Sequence, residues 1–195
     1  MVLRIETLTG AALAAALDDV ARLRIAVFRD WPYLYDGDLA YEQRYMATYR
    51  DSASAIVVGA FDGDRLVGAS TGTPLSDHAD DFARPFADTG LDLNDVFYCA
   101  ESVLLPEYRG QGAGHGFFDH REAHARALGF KKSAFCGVQR PADHPMQPAD
   151  YAPLDPFWRK RGYARLEGVV AEFSWKDVGH QDETKKPLQF WIRDL

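Results

Sequence analysis

Polar and apolar positions alternate over Val2-Leu3-Arg4-Ile5-Glu6, the pattern of a half-buried opening strand. Thr9 then stands where a helix N-cap is expected. Leu13, Ala16, Leu17, Val20, Val27 and Phe28 follow at helical spacing, interrupted by the charge of Arg24. The stretch Trp31-Pro32-Tyr33-Leu34-Tyr35-Asp36-Gly37 breaks that helix, and a second is predicted from Leu39 to about Tyr49, carrying Tyr41, Tyr45 and Tyr49 at i, i+4 and i+8. Apolar runs at 55–61 and 65–70 flank Asp62-Gly63-Asp64 and predict a hairpin. Residues 76–93 read as a loop with one short helix. Val96 to Leu105 reads as one central strand stopped by Pro106. A helix over Gly112–Leu128 ends at Gly129, and a strand over Lys132–Val138 follows. Residues 139–155 form a loop with prolines at 141, 145, 148 and 153, leading into a short helix over Asp155–Arg161 that stops at Gly162. Two alternating strands, over 169–176 and 188–193, close the chain. The order β-α-α-β-β-β-α-β-α-β-β predicts a mixed α/β (α+β) fold, a mainly antiparallel sheet of about seven strands flanked by helices. It is not a strictly alternating dinucleotide-binding pattern.

Composition narrows the class. At 195 residues, 47% hydrophobic and with 16 glycines and 10 prolines, the chain is expected to form one domain over 1–195, and it is neither disordered nor low-complexity. Its net charge of −7 argues against nucleic acid as a partner, because such binding needs a basic surface. Cys99 and Cys136 belong to no CxxC pair and are expected as buried thiols in a reducing compartment. The apolar run Ala11–Leu17 is too short to span a bilayer or to serve as a signal core. A cytoplasmic protein with no membrane partner is the expectation.

The most informative segment is Leu104-Leu105-Pro106-Glu107-Tyr108-Arg109-Gly110-Gln111-Gly112-Ala113-Gly114, which runs from a strand end into a helix start. Three glycines in five residues leave backbone amides bare where the helix dipole favours an anion such as a pyrophosphate. A glycine-rich turn without any ligand is the alternative on those residues alone. The segment lacks the G-K-[S/T] of a P-loop and fails G-x-G-x-x-G at its third glycine. Lys131 and Lys132 stand where a dinucleotide fold needs its ribose-binding acid.

At these residues the sequence resembles the GNAT superfamily of acyl-CoA-dependent N-acetyltransferases. Its pyrophosphate motif, [Q/R]-x-x-G-x-[G/A] after V-x-P-x-x, is matched by Arg109-x-x-Gly112-x-Gly114, with Pro106 in place and Leu104 where Val is commonest. The run from Asp155 to Tyr163 is similar to the family's late F-Y-x-x-x-G-F helix, and the element order agrees over nearly the whole chain. The resemblance implies acetyl-CoA as cosubstrate and no metal. The pantetheine arm would pair along Val103, Leu104 and Leu105 like an added strand, and the pyrophosphate would lie on the amides of Arg109, Gly110, Gln111, Gly112, Ala113 and Gly114. Lys131-Lys132 and Arg159-Lys160-Arg161 would either attract the adenosine phosphate or form a solvated basic face.

The implied chemistry is direct attack by a primary amine, of a small molecule or a peptide, in a ternary complex. A lysine-like amine with pKa ~10.4 costs about 4 kcal/mol to deprotonate near pH 7.4, so a base is expected. Glu101, a carboxylate within an apolar strand, is the candidate. A structural ion pair with Arg109 or Arg121 is its alternative, and Tyr98 and Ser102 lie on the same strand. The family's usual acid, the Tyr of F-Y-x-x-x-G-F, is Trp158 here and is not carried over; Tyr151 is the expected substitute, with Cys136 or a water behind it. Trp31, Tyr33 and Tyr35 are expected to wall the acceptor pocket, where aromatic faces hold a cationic amine. The rival reading is a catalytically weak or inactive acyl-CoA-binding module of the same fold. A hydrolase built from Cys136, His144 and Asp143 or Asp150 lacks any elbow motif. His120-Arg121-Glu122-Ala123-His124 departs from H-E-x-x-H. A homodimer is left open.

Overall fold

A computed structural model describes residues 3–195. Val2, the first residue of the expected opening strand, lies outside the described residues. The chain begins with strand β1 (Arg4–Leu8) and helix α1 (Gly10–Phe28). Thr9 is the extended N-cap of α1, although its side chain makes no capping bond. Helix α2 (Leu39–Asp51) is better capped: the Asp38 carboxylate accepts from the amides of Ala40 and Tyr41 at 2.9 and 3.2 Å. The hairpin forms as expected from β2 (Ile56–Asp62) and β3 (Arg65–Pro74), with Gly63 supplying the positive φ of the turn. Short helix α3 (Ala79–Phe86) is the one helix expected within residues 76–93.

The central strand differs from its expectation. Instead of one strand from Val96 to Leu105 there are two, β4 (Val96–Tyr98) and β5 (Ser102–Leu104). Tyr98 pairs with Thr73 of β3, whereas Ser102 pairs with Ser70, so residues 99–101 face only residues 71 and 72. The extra residue is a β-bulge, and both Ala100 N–H and the Arg121 guanidinium donate to Thr71 O opposite it. The pattern does not announce the bulge, because residues 96–105 are apolar nearly throughout and offer no alternation for the extra residue to break. Helix α4 (Ala113–Ala127), strand β6 (Lys132–Val138), helix α5 (Asp155–Lys160) and the long pair β7 (Ala164–Lys176) and β8 (Glu183–Asp194) complete the chain.

These strands form one eight-stranded mixed sheet ordered β1-β2-β3-β4-β6-β8-β7, with β5 also pairing β3. Only β4 and β6 run parallel. Their pairing extends through Cys99, whose amide donates to Ala134 O at 2.8 Å, and beyond it β5 follows β3 while β6 follows β8. A wedge therefore opens between β5 and β6 directly after the bulge. α1 and α2 cover one sheet half through Leu17, Val20 and Met46 against Val57, Ala69 and Val103. α3 covers the other half through Phe82 and Phe86. On the opposite face α4 buries Phe117 and Phe118 against Ile56, Phe97 and Phe135. The mouth of the wedge lies where the α1–α2 half meets the α3 half.

Candidate active site

The loop before α4 takes its shape from two glycines. Gly110 and Gly112 have φ of +77° and +85°, a left-handed conformation that costs a side-chain-bearing residue about 1–3 kcal/mol, and nothing lies within 4 Å of where either Cβ would be. Gly112 is the N-cap of α4. Arg109 N–H is turned back to Pro106 O, so this amide, expected at the anion site, is already used. The amides of Gly110, Gln111, Gly112, Ala113 and Gly114 have no protein acceptor among the described residues. Five bare donors at the positive end of a fifteen-residue helix make a concave site that fits a pyrophosphate.

A second open edge leads from this loop into the wedge. Glu101 O accepts from Thr71 N and Leu105 N donates to Val67 O, so alternation assigns the backbone groups of Ser102 and Leu104 to the side of β5 away from β3. The Arg109 guanidinium reaches back to Leu104 O at 3.3 Å. Val103, by contrast, buries its side chain in the α1 core.

Glu101 sits on the bulge at the inner end of this edge and is 7% exposed. Its ion pair is with neither Arg109 nor Arg121. Arg24 of α1 donates through Nη1 to Glu101 Oε2 at 2.7 Å and through Nε to Glu42 Oε2 of α2 at 2.5 Å. Burial disfavours the Arg24 cation, but the Glu101 charge, followed by Tyr45 and Glu42, outweighs it and raises the Arg24 pKa well above its ordinary value. One guanidinium thus serves two carboxylates, and Glu101 Oε1 and Glu42 Oε1 are buried without hydrogen-bond partners. Arg121, 1% exposed, holds the bulge from the other face, donating to Thr71 O and Glu101 O at 3.1 Å each and to Ser102 Oγ at 3.0 Å.

A cavity of about 110 Å³ borders this triad, lined by Arg24, Glu42 and Glu101 together with the rings of Phe28, Tyr33, Tyr35, Tyr45, Tyr98 and Trp175. Tyr33 and Tyr35 are thus brought to the site by the break between α1 and α2. Trp31 is not: it packs against His144 and Tyr151, with ring centroids 5.0 and 5.8 Å away. Tyr151 stands with that outer group and does not line the cavity, while Tyr98 and Cys136 do. Tyr98 Oη lies 3.2 Å from Cys136 Sγ. Burial holds both in their protonated forms, pushing the Cys136 thiol up to about 12 and the Tyr98 phenol well above its ordinary value. A thiolate nucleophile is therefore disfavoured at Cys136, and His144 Nδ1 accepts from Met146 N–H instead.

The cavity wall has its own anchor. Arg140, just after β6, donates to both oxygens of Asp177 at 2.8 and 2.9 Å and to the carbonyls of Pro32 and Tyr33 at 2.8 and 2.5 Å. Trp175 Nε1 also donates to Tyr33 O, at 3.0 Å. Trp158 packs on the other face of the sheet against Phe135 and Trp191, and a Cβ at Gly137 would lie 3.1 Å from its ring. His120 and His124 are engaged with Thr7 Oγ1 and Ser54 O, at 2.7 and 2.9 Å. Lys131, Lys132, Arg159 and Arg161 are paired with Asp95, Asp194, Asp155 and Asp119 respectively. Sequence reasoning missed Arg24, Glu42 and Arg140. The signal for the first was on the page, since a charge interrupting the apolar stripe of a buried helix needs a partner.

The family model described as the acetyltransferase (GNAT) family matches residues 17–149. No curated protein matches the chain. Among solved structures, a phosphinothricin acetyltransferase from Sinorhizobium meliloti in complex with AcCoA is similar at 15% identity and TM-score 0.60, over 100% of this chain and 89% of that one. A Drosophila melanogaster polyamine N-acetyltransferase that forms N-acetylagmatine is similar at 10% identity and TM-score 0.63, over 98% and 100%. A ribosomal-protein-alanine N-acetyltransferase from Brucella melitensis is similar at 14% identity and TM-score 0.61, over 99% and 100%. At these identities the likeness is one of fold.

Proposed function

Because the chain belongs to the acetyltransferase (GNAT) family, we propose that it transfers an acetyl group from acetyl-CoA to a primary amine by direct attack in a ternary complex. The observation that carries this reading is the continuity of unmet backbone donors and acceptors. Bare amides at Gly110–Gly114 lead to the edge of β5, where Leu104 N–H and the backbone of Ser102 are free while Leu104 O is reached by Arg109, and which ends beside the unpartnered Glu101 Oε1. Acetyl-CoA supplies an acyl thioester activated toward nitrogen. The α4 start would hold its pyrophosphate, and β5 its pantetheine arm, as in strand addition.

The residues of the chain then supply position and a proton acceptor. Glu101 Oε1 accepts a hydrogen bond from the amine and, directly or through a water, its proton. The nitrogen bonds to the acyl carbon, the carbon–sulfur bond breaks with its electron pair going to sulfur, and the coenzyme leaves as a thiolate that takes its proton from solvent water. Arg24 fixes the orientation of Glu101, and Arg121 fixes the backbone that carries it. General acid assistance is worth about 10²–10⁴-fold, less than the roughly 7–11 kcal/mol available from positioning, so transfer does not require a tyrosine at position 158. Tyr98 is one of the protonated phenols that line the cavity; Tyr151 stands farther out with Trp31.

Trp158 favours a second reading, an acyl-CoA-binding module with little turnover. Incubation with acetyl-CoA and a panel of primary amines separates the two. Amine-dependent thiol release, with the N-acetyl product seen by mass spectrometry, is expected of the enzyme. Tight coenzyme binding without product would leave the binding module, and absence of both would overturn the coenzyme A reading itself.

A further inference from the structure

The acceptor cavity carries more information than its place in the fold. Arg24 is matched by two buried carboxylates, so the triad bears one surplus negative charge in a site lined otherwise by rings. Nε and Nη1 of the guanidinium are engaged with Glu42 and Glu101, and its face is covered by the Tyr45 ring at 4.4 Å. Of the other buried cations, Arg121 lies on the far side of the bulge and spends its donors on the carbonyls of Phe117, Thr71 and Glu101 and on Ser102 Oγ, while Arg140 and Lys186 spend theirs on Asp177, Thr184 Oγ1 and backbone carbonyls; none of the three lines the cavity. Glu101 Oε1 is unpartnered and points to a missing donor. The volume, about 110 Å³, falls below the roughly 150 Å³ of an engineered cavity that holds benzene.

From these features we infer that the acceptor is a small alkylamine, with a body of about four carbons and no acid group of its own, bound with its nitrogen at Glu101, and that Glu42 is the residue that sets this preference. An α-carboxylate on the acceptor would add to the surplus negative charge, and Arg24, the cation in the cavity wall, is already shared between two carboxylates. A neutral alcohol of the same shape would leave that charge unneutralised and forgo the attraction of a cation to the surrounding rings. Glu42 does not reach the reacting atoms in this scheme. It acts on the charge of the cavity, by turning a neutral Arg24–Glu101 pair into an anionic triad.

This inference rests on the acyl-transfer reading of the same cavity, so its test is separable from turnover. Ligand-observed NMR titrations of the protein would compare n-butylammonium, 1-butanol and norvaline, which share one chain and differ in charge and in the added carboxylate. The expected result is binding of n-butylammonium at least about tenfold tighter than either of the others, a gap of about 1.4 kcal/mol. In Glu42→Gln that advantage should fall several-fold, with the affinity for coenzyme A unchanged. Equal binding of the three ligands, tighter binding of norvaline, or no binding of n-butylammonium would each overturn the inference. The comparison within the unaltered protein decides the matter even if Glu42→Gln fails to fold. Coenzyme A titrated into the same samples reports independently on the acyl-transfer reading.

Discussion

A carboxylate that shares a guanidinium with a second carboxylate keeps one oxygen free, and Glu101 is held in that state at the mouth of the wedge. Replacing it with Gln retains the shape and a hydrogen bond toward Arg24 while removing the proton acceptor. Glu101→Gln is therefore expected to lower kcat by about 10²–10⁴-fold with the Kd for coenzyme A within about twofold, as measured by stopped thiol-release assays and calorimetry. Unchanged kcat would remove Glu101 as the base. Arg140 acts on the wall instead of the chemistry. Removing one partner from a buried pair costs about 3–5 kcal/mol, and Lys186 Nζ, 3.4 Å from Asp177, offsets part of that loss. Arg140→Ala should cost about 2–3 kcal/mol, lowering Tm by about 4–12 °C. Burial opposes the Asp177 charge, but the hydrogen bonds and charges of Arg140 and Lys186 prevail and hold its carboxyl below the usual range. A lowered folded pKa contributes stability that is full above the ordinary value and is lost as pH falls through the folded one. The Tm gap between the unaltered protein and Arg140→Ala should therefore be steady from pH 6 to 8 and close below about pH 4. A gap that widens on acidification would contradict the pairing.

At the scale of elements, the bulge between β4 and β5 decides where Glu101 points, and Arg121 clamps it. Among the described residues Arg121 has no carboxylate partner; its donors go to Phe117 O, Thr71 O, Glu101 O and Ser102 Oγ. Two of those carbonyls keep a second donor if the guanidinium goes, since Ala100 N–H donates to Thr71 O and Thr71 N–H to Glu101 O. Arg121→Met, close in volume and apolar, should thus leave stability within about 2 kcal/mol while lowering kcat about 10–100-fold through loss of alignment. A variant that melts early but turns over normally would show a purely structural clamp. The helices and the hairpin were legible in the sequence because their signals are local: Asp-Gly between apolar runs, glycines at helix ends, apolar residues at helical spacing. The motif before α4 was legible for the same reason, and its two left-handed glycines sit where the bare amides require them. The bulge was not legible, because it is a register event between β3 and its neighbours. Nor was the Arg24–Glu42–Glu101 triad, which joins three elements that sequence places 18 and 77 positions apart. Trp31 shows the converse, since proximity in sequence to Tyr33 did not place it in the cavity.

For the whole molecule, a net charge of −7 says little about either ligand, because each is met by a local arrangement. On the proposed reading the anionic cosubstrate would be received by uncharged amides at one helix start, and the amine by one surplus buried carboxylate among rings. Both sites lie on a single wedge because one parallel pair, β4 and β6, separates after Cys99 while the remaining strands stay paired antiparallel. The core on either side is continuous with the site walls: Val103 ties β5 to α1, and Leu188 and Cys136 tie the other lip to the cluster under α3. The most direct test of this arrangement is amide hydrogen exchange with and without acetyl-CoA, resolved to single residues across 102–114. Strong slowing is expected at Gly110–Gly114 and at Ser102 and Leu104, whose amides are free, with little change at Arg109 and Val103, whose amides already face protein acceptors. Binding of acetyl-CoA that leaves Gly110–Gly114 unprotected, or that protects a different helix start, would contradict this arrangement.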